Sequence, residues 1–171
     1  MSLATILSLI GGITGPLGLV ISILVFFRDR PRIAVSVAWE MAAFPKTPGY
    51  PDKFASVTAV NLGRRPAYIS HFTAWQKGST KAWLIPSTVP GQILSEGSAP
   101  YSAIIDEKAF IDDAVPWWLL RFAVSGAGGK RYYSPWLERP PKWAEGQSAP
   151  KWATRWNRRK NQINRLFAVF N

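Results

Sequence analysis

Ile33-Ala34-Val35-Ser36-Val37-Ala38-Trp39 sets two valines, an isoleucine and a tryptophan on one side of an extended chain, and Ala, Ser and Ala on the other. Such alternation marks a half-buried β-strand, because successive side chains point to opposite faces. Toward the C-terminus the same signal returns in short pieces. Phe44–Asp52, with three prolines, is irregular. Phe54–Leu62 reads as a second strand, closed by the basic turn Gly63-Arg64-Arg65-Pro66, and Ala67–Trp75 as a third. Lys81–Ile85, Gln92–Leu94 and Tyr101–Ile105 read as shorter strands separated by Pro, Gly and Ser. Asp106 can cap a short helix over Glu107–Asp113, and Trp117–Ser125 with Lys130–Pro135 forms a hairpin around Gly126–Gly129. Seven or so short strands with turn signals roughly every 8–12 residues and hardly a helix among them predict an antiparallel β-sandwich over residues 33–136.

The flanks differ from this middle. No charged side chain occurs from Met1 to Phe27, and Thr5–Phe27 is rich in Ile, Leu, Val, Phe and Gly. As a helix at 1.5 Å per residue this run is about 35 Å long, enough for a hydrocarbon core of about 30 Å. Residues 1–32 therefore read as one transmembrane anchor with a basic flank. A cleaved signal peptide fits poorly, since no basic region precedes the run and the run is too long. Arg28, Arg30 and Arg32 follow at once, so the positive-inside rule places the N-terminus outside and the rest in the cytoplasm, at an inner (plasma) membrane. Ser8, Gly11, Gly15, Gly18 and Ser22 fall within about 80° on that helix, a small-residue stripe suited to packing against another span, in self-association or with a partner.

Charge concentrates at the other end. The chain has 171 residues and a net charge of +11, and residues 130–171 hold ten basic and two acidic side chains, a net of +8. After a Pro-rich linker from residue 137, Lys151 opens a helical pattern. Trp152, Trp156, Ile163, Leu166, Phe167 and Phe170 form an apolar stripe about 120° wide, as membrane- or partner-docking residues would. Arg155, Arg158, Arg159, Lys160 and Arg165 lie on the same acid-free helix and, with the arginines after the span, are candidate anion-binding residues. The helix can pack on the sandwich or a protein partner, lie on anionic lipid headgroups, or bind nucleic acid.

The chain resembles a widespread, loosely defined group of small bacterial and phage proteins with one N-terminal transmembrane helix followed by an Ig-like β-sandwich. The resemblance rests on Phe27-Arg28-Asp29-Arg30-Pro31-Arg32, on Val60-Asn61-Leu62-Gly63-Arg64-Arg65-Pro66, on Leu94-Ser95-Glu96-Gly97 and on the Phe122–Ser134 hairpin. It covers roughly residues 5–135 and implies architecture without an active site.

Catalytic chemistry finds little support. The absence of Cys and the single His71 exclude thiol nucleophiles, thiolate zinc sites and any multi-histidine site within one chain. Gly126-Ala127-Gly128-Gly129-Lys130 lacks the P-loop spacing, and Arg131 stands where Ser or Thr should bind magnesium. Asp106, Glu107, Asp112 and Asp113 lack the alternating ligands and central glycine of a calcium loop. The expectation is a non-enzymatic protein without cofactor or metal, whose sandwich and basic tail engage a membrane complex or partner protein. The alternative is a membrane-tethered module for nucleic acid or anionic lipid, of a kind suited to phage–host conflict.

Overall fold

A computed structural model of the chain describes residues 3–46, 48–79, 82–86 and 91–170, with side chains left out at 3–11, 13, 27, 28 and 167–170. The described residues are mostly β. Helix α1 (Leu3–Arg28) leads into β1 (Ile33–Met41), β2 (Phe54–Asn61), β3 (Ala67–Gln76), β4 (Ala82–Ile85), β5 (Gln92–Leu94) and β6 (Tyr101–Asp106). A short helix α2 (Lys108–Asp112), β7 (Leu120–Gly126), β8 (Arg131–Tyr133) and the terminal helix α3 (Lys151–Phe170) complete it.

The strands form two antiparallel sheets. One has the order β1-β2-β6; the other runs β4-β3-β7-β8, with β5 also paired to β3. The inward residues follow from the pleat. Val35, Val57, Ala59, Ala103 and Ile105 of the first sheet meet Ile69, Phe72, Ala74, Phe122 and Val124 of the second, all buried. Phe72 stacks on Tyr101 across the gap, centroids 5.0 Å apart. Each such side chain contributes about 1.5–3 kcal/mol when fully removed from water.

Two local features depart from simple alternation. In β3 the register to β7 shifts between Ile69 and His71, so Phe72 points inward and His71 outward. This bulge changes the phase of the pleat, which strict alternation from Ile69 would have carried through His71. In β1 the register shifts between Ala38 and Met41, where Glu40 has φ 60°. The hairpin turn after β7 closes through Gly126 N–H to the Lys130 carbonyl at 2.7 Å, with Gly128 and Gly129 at φ 69° and 74°. Those positive angles explain the glycines without a phosphate.

The Pro-rich stretch read as a linker packs onto the sandwich. Trp143 stacks on Phe110 of α2 at 5.4 Å and tilts against Trp39 of β1 at 5.9 Å, while Pro141 and Ala144 are buried. Lys142 Nζ meets Glu40 Oε2 at 2.9 Å. The hydrogen bond to the Glu40 carboxylate, then its charge, raises the Lys142 pKa above 10.5. A raised folded-state value means the pair's contribution is full below pH 10.5 and is lost as pH climbs through the folded value. Lys142→Met should therefore leave the melting midpoint nearly unchanged at neutral pH, where an exposed pair contributes little. It should also remove that part of the alkaline fall, as melting curves taken from neutral to strongly alkaline pH would reveal.

Candidate functional site

The sandwich has two unlike ends. From one emerges α1, and there the register gathers Ile33, Asn61, Ala67, Leu94 and Gly126. Arg30, Arg32, Arg64, Arg65 and Lys130 all belong to that end. The opposite end, around Met41, Phe54 and α2, carries Asp52, Asp106, Glu107, Asp112, Asp113 and Glu145, with Lys53, Lys108 and Lys142 beside them. The fold thus leaves an excess of cations at the first end and a smaller excess of acids at the second.

Asn61 fastens the exit of α1 to the basic end. It is 3% exposed, and its Oδ1 accepts from Arg32 N at 3.3 Å and Gly63 N at 2.9 Å. Its Nδ2 donates to the Arg65 and Leu94 carbonyls, both at 2.8 Å. Leu62 N also donates to the Arg32 carbonyl at 2.7 Å. Gly63 lies so close to this strand that a Cβ there would collide with the backbone of Arg30 and Arg32. The Asn-Leu-Gly-Arg-Arg-Pro turn is therefore a clasp around the segment that leaves α1.

In α1 every described side chain is exposed, on all sides of the helix; Leu19 and Leu24 are 65% and 63% exposed. A Cβ built at Gly15 or Gly18 would meet nothing within 4 Å, and Ser22 Oγ donates to the Gly18 carbonyl at 2.8 Å. Ser8 and Gly11 of the small-residue stripe, and the Arg28 side chain, lie outside the described residues. The Arg30 guanidinium sits 4.7 Å over the Phe26 ring. Among the described residues no helix is both long and apolar enough to cross a membrane.

Helix α3 docks through an unexpected face. Ala153, Asn157 and Asn161, spaced four apart, are 1%, 1% and 3% exposed. Asn157 Nδ2 donates to the Trp118 and Leu137 carbonyls at 3.0 and 2.9 Å. Asn161 accepts from Trp136 N at 2.9 Å and donates to the Trp136 carbonyl and Glu138 Oε1 at 2.8 and 2.9 Å. At 100° per residue this seam centres about 140° away from Trp152. The apolar stripe is left largely outside: Trp152 and Leu166 are 61% and 65% exposed, and Ile163 is half-buried. Trp156 is the exception, edge-on to Trp136 at 5.3 Å with Lys77 Nζ 3.6 Å over its ring. Phe167 and Phe170 continue the helix with side chains outside the described residues. Arg155, Arg158, Arg159, Lys160 and Arg165 are exposed, and Asn164 and Arg165 come beside Ala34 and Tyr133, so α3 runs toward the basic end.

No known protein family matches this chain, and no curated protein matches it.

The groups that could have carried catalysis have structural partners. Glu107, 4% exposed, accepts from Glu40 N at 2.6 Å, and Asp113 accepts from Trp83 Nε1 at 2.6 Å. Asp106, expected as the cap of α2, stands one residue before the N-cap position, which is Glu107, and accepts from Lys108 N at 2.9 Å. His71 is exposed, its Nδ1 2.9 Å from Ser70 Oγ. Among the described residues no three His, Asp or Glu side chains are placed to hold a metal ion. Arg121 donates from Nε to the Ser134 carbonyl at 2.7 Å between the Tyr133 and Trp136 rings, and burial pulls its pKa below the usual arginine value. Sequence reasoning gave no role to Asn61 or the two seam asparagines, and weighed Lys130 only within the rejected phosphate loop. The Ala-Asn-Asn spacing of four was the available signal for the seam.

Proposed function

We propose that this chain is a non-enzymatic, single-pass membrane protein whose cytoplasmic sandwich presents α3 to a protein partner. The carrying observation is α1, a helix of 26 residues whose described side chains are exposed all round and, but for Thr14 and Ser22, apolar. A helix that is apolar on every side needs a hydrocarbon or protein environment on every side. Its backbone length, about 39 Å at 1.5 Å per residue, and the charge-free sequence through Phe27 suit a bilayer. Ser22, bonded back to its own helix, carries no unmet hydroxyl into lipid.

The charge separation supports the orientation. With Arg28 onward in the cytoplasm, the basic end faces the anionic inner leaflet and the acidic end points away. Trp152 lies about 27 Å along α3 from Phe170, beyond the depth of roughly 5–10 Å that an interfacial helix occupies. The exposed Trp152 therefore suits a protein surface better than lipid or nucleic acid, aromatic anchors being the usual centres of such contacts.

The test has two arms on the full chain. After alkaline washing of membranes the wild type stays in the pellet. Leu17→Arg with Leu19→Arg appears in the supernatant, each arginine costing about 2.5–3.5 kcal/mol near mid-span. Release of the wild type would overturn the membrane reading. In the second arm, photoreactive residues at 152 and 166 yield a protein adduct of discrete mass. Adducts with lipid or nucleic acid alone would overturn protein docking in favour of an anionic-lipid or nucleic-acid module.

A further inference from the structure

Where the chain leaves α1, Arg30–Ala34 forms one wall of a cleft of about 540 Å3, and Leu62, Lys130 and Tyr132 form the other. Its charged lining is Arg30, Arg32 and Lys130, with no acid among the described residues that line it. These cations come from separate parts of the chain. The clasp at Asn61 holds Arg32 by its backbone, and the β7–β8 turn delivers Lys130.

One atom shows what is missing. Arg32 Nε is buried and has no hydrogen-bond partner. A guanidinium N–H withdrawn from water without an acceptor is unfavourable, and buried polar groups in folded proteins are otherwise almost always satisfied. The acceptor that fits a cleft lined by three cations, Lys130 Nζ lying 5.1 Å over the Tyr132 ring, is an anionic oxygen able to take charge-assisted bonds. Beside the cations the lining turns apolar: Leu62 is 66% exposed, with Ile33 and Tyr132 next to it. A charged centre against an exposed leucine suits a molecule with a phosphate and an attached apolar portion.

We propose that this cleft binds a phosphate oxyanion, and that the phosphate belongs to the headgroup of an anionic phospholipid. The lipid source rests on the reading that α1 spans the membrane, which brings the cleft to headgroup level. The phosphate chemistry itself does not depend on it.

The experiment uses the full chain purified in a non-ionic detergent, with short-chain phosphatidylglycerol, short-chain phosphatidylcholine and inorganic phosphate as probes. The readout is the shift in melting midpoint as each probe is titrated. Phosphatidylglycerol raises the midpoint of the wild type at concentrations where phosphatidylcholine and inorganic phosphate do not. Arg32→Gln with Lys130→Gln weakens the apparent affinity by about tenfold or more, because two charge-assisted contacts are lost. Lys53→Gln with Lys108→Gln, an equal loss of charge at the opposite end of the sandwich, leaves it unchanged. An equal response to inorganic phosphate would overturn the lipid source while keeping the oxyanion site. Undiminished binding by Arg32→Gln with Lys130→Gln, or an equal loss in Lys53→Gln with Lys108→Gln, would overturn the site itself. Should Arg32→Gln with Lys130→Gln unfold, Leu62→Ser tests the apolar wall, and it should weaken phosphatidylglycerol alone. Alkaline extraction reports separately on whether α1 spans, so failure of the membrane reading and of the cleft are distinguishable.

Discussion

Leucine in place of Asn61 is expected to lower the unfolding free energy by about 3–5 kcal/mol, among the largest effects of any single polar change in this chain. The side chain fills a site 3% exposed and satisfies two backbone N–H groups and two carbonyls. Leucine keeps the volume and removes all four partners. Each buried group left unmet costs about 1–3 kcal/mol, and those nearest solvent, around the exposed Arg65, regain water and lose least. The melting midpoint should fall by on the order of 10 °C. Amide exchange separates this mechanism from a general loss of packing: Arg32 and Gly63 should lose protection first. A midpoint within about 2 °C of wild type would mean that Leu62 N to the Arg32 carbonyl suffices to hold the exit of α1.

Phe110→Ala should cost a similar amount, about 3–5 kcal/mol, by a different route. Phe110 is fully buried and central to an aromatic cluster, with Trp39 at 6.0 Å, Trp83 at 6.2 Å, Phe122 at 6.1 Å and Trp143 at 5.4 Å. Four rigid rings cannot close over the space of a fifth, so the cavity persists and the loss stays near the upper end of the range. Near-ultraviolet circular dichroism should lose intensity before far-ultraviolet does, since Trp39, Trp83 and Trp143 all lose their neighbour. A loss below about 1 kcal/mol would show that the cluster collapses onto itself, and that the turn from Lys142 is held by its ion pair instead.

The sandwich was legible because its evidence is local. Alternation in Ile33–Trp39 and in Phe54–Leu62, and glycines at the β7–β8 turn, act through neighbours one or two residues away. The bulge at Ser70 was not legible, since an extra residue leaves composition unchanged and only the partner strand reveals the new phase. The same limit hid the seam of α3. A stripe of Trp, Leu and Phe draws attention to the apolar side, yet the docked side is Ala153, Asn157 and Asn161, whose partners are carbonyls of irregular chain at Trp118, Trp136 and Leu137. Those carbonyls have no ladder to satisfy them, and short amides reach them where aliphatic side chains would leave them dry. The cleft by Arg32 combines positions 30–34, 62, 130 and 132, and no spacing in the chain announces such a meeting.

The place where α1 enters the fold also decides how the molecule bears load. On the proposed membrane reading, a pull along α1 passes the clasp at Arg32, reaches Ile33, the first residue of β1, and is directed along that strand. The bonds of an antiparallel pair lie across the strands, so the six residues from Ile33 to Ala38 that are matched to β2 resist in shear. Rupture then requires a row of hydrogen bonds to fail together, whereas a tether fixed across the strands would peel them one by one. On that reading, the sandwich can act as a stiff mechanical link between α1 and a partner docked on α3.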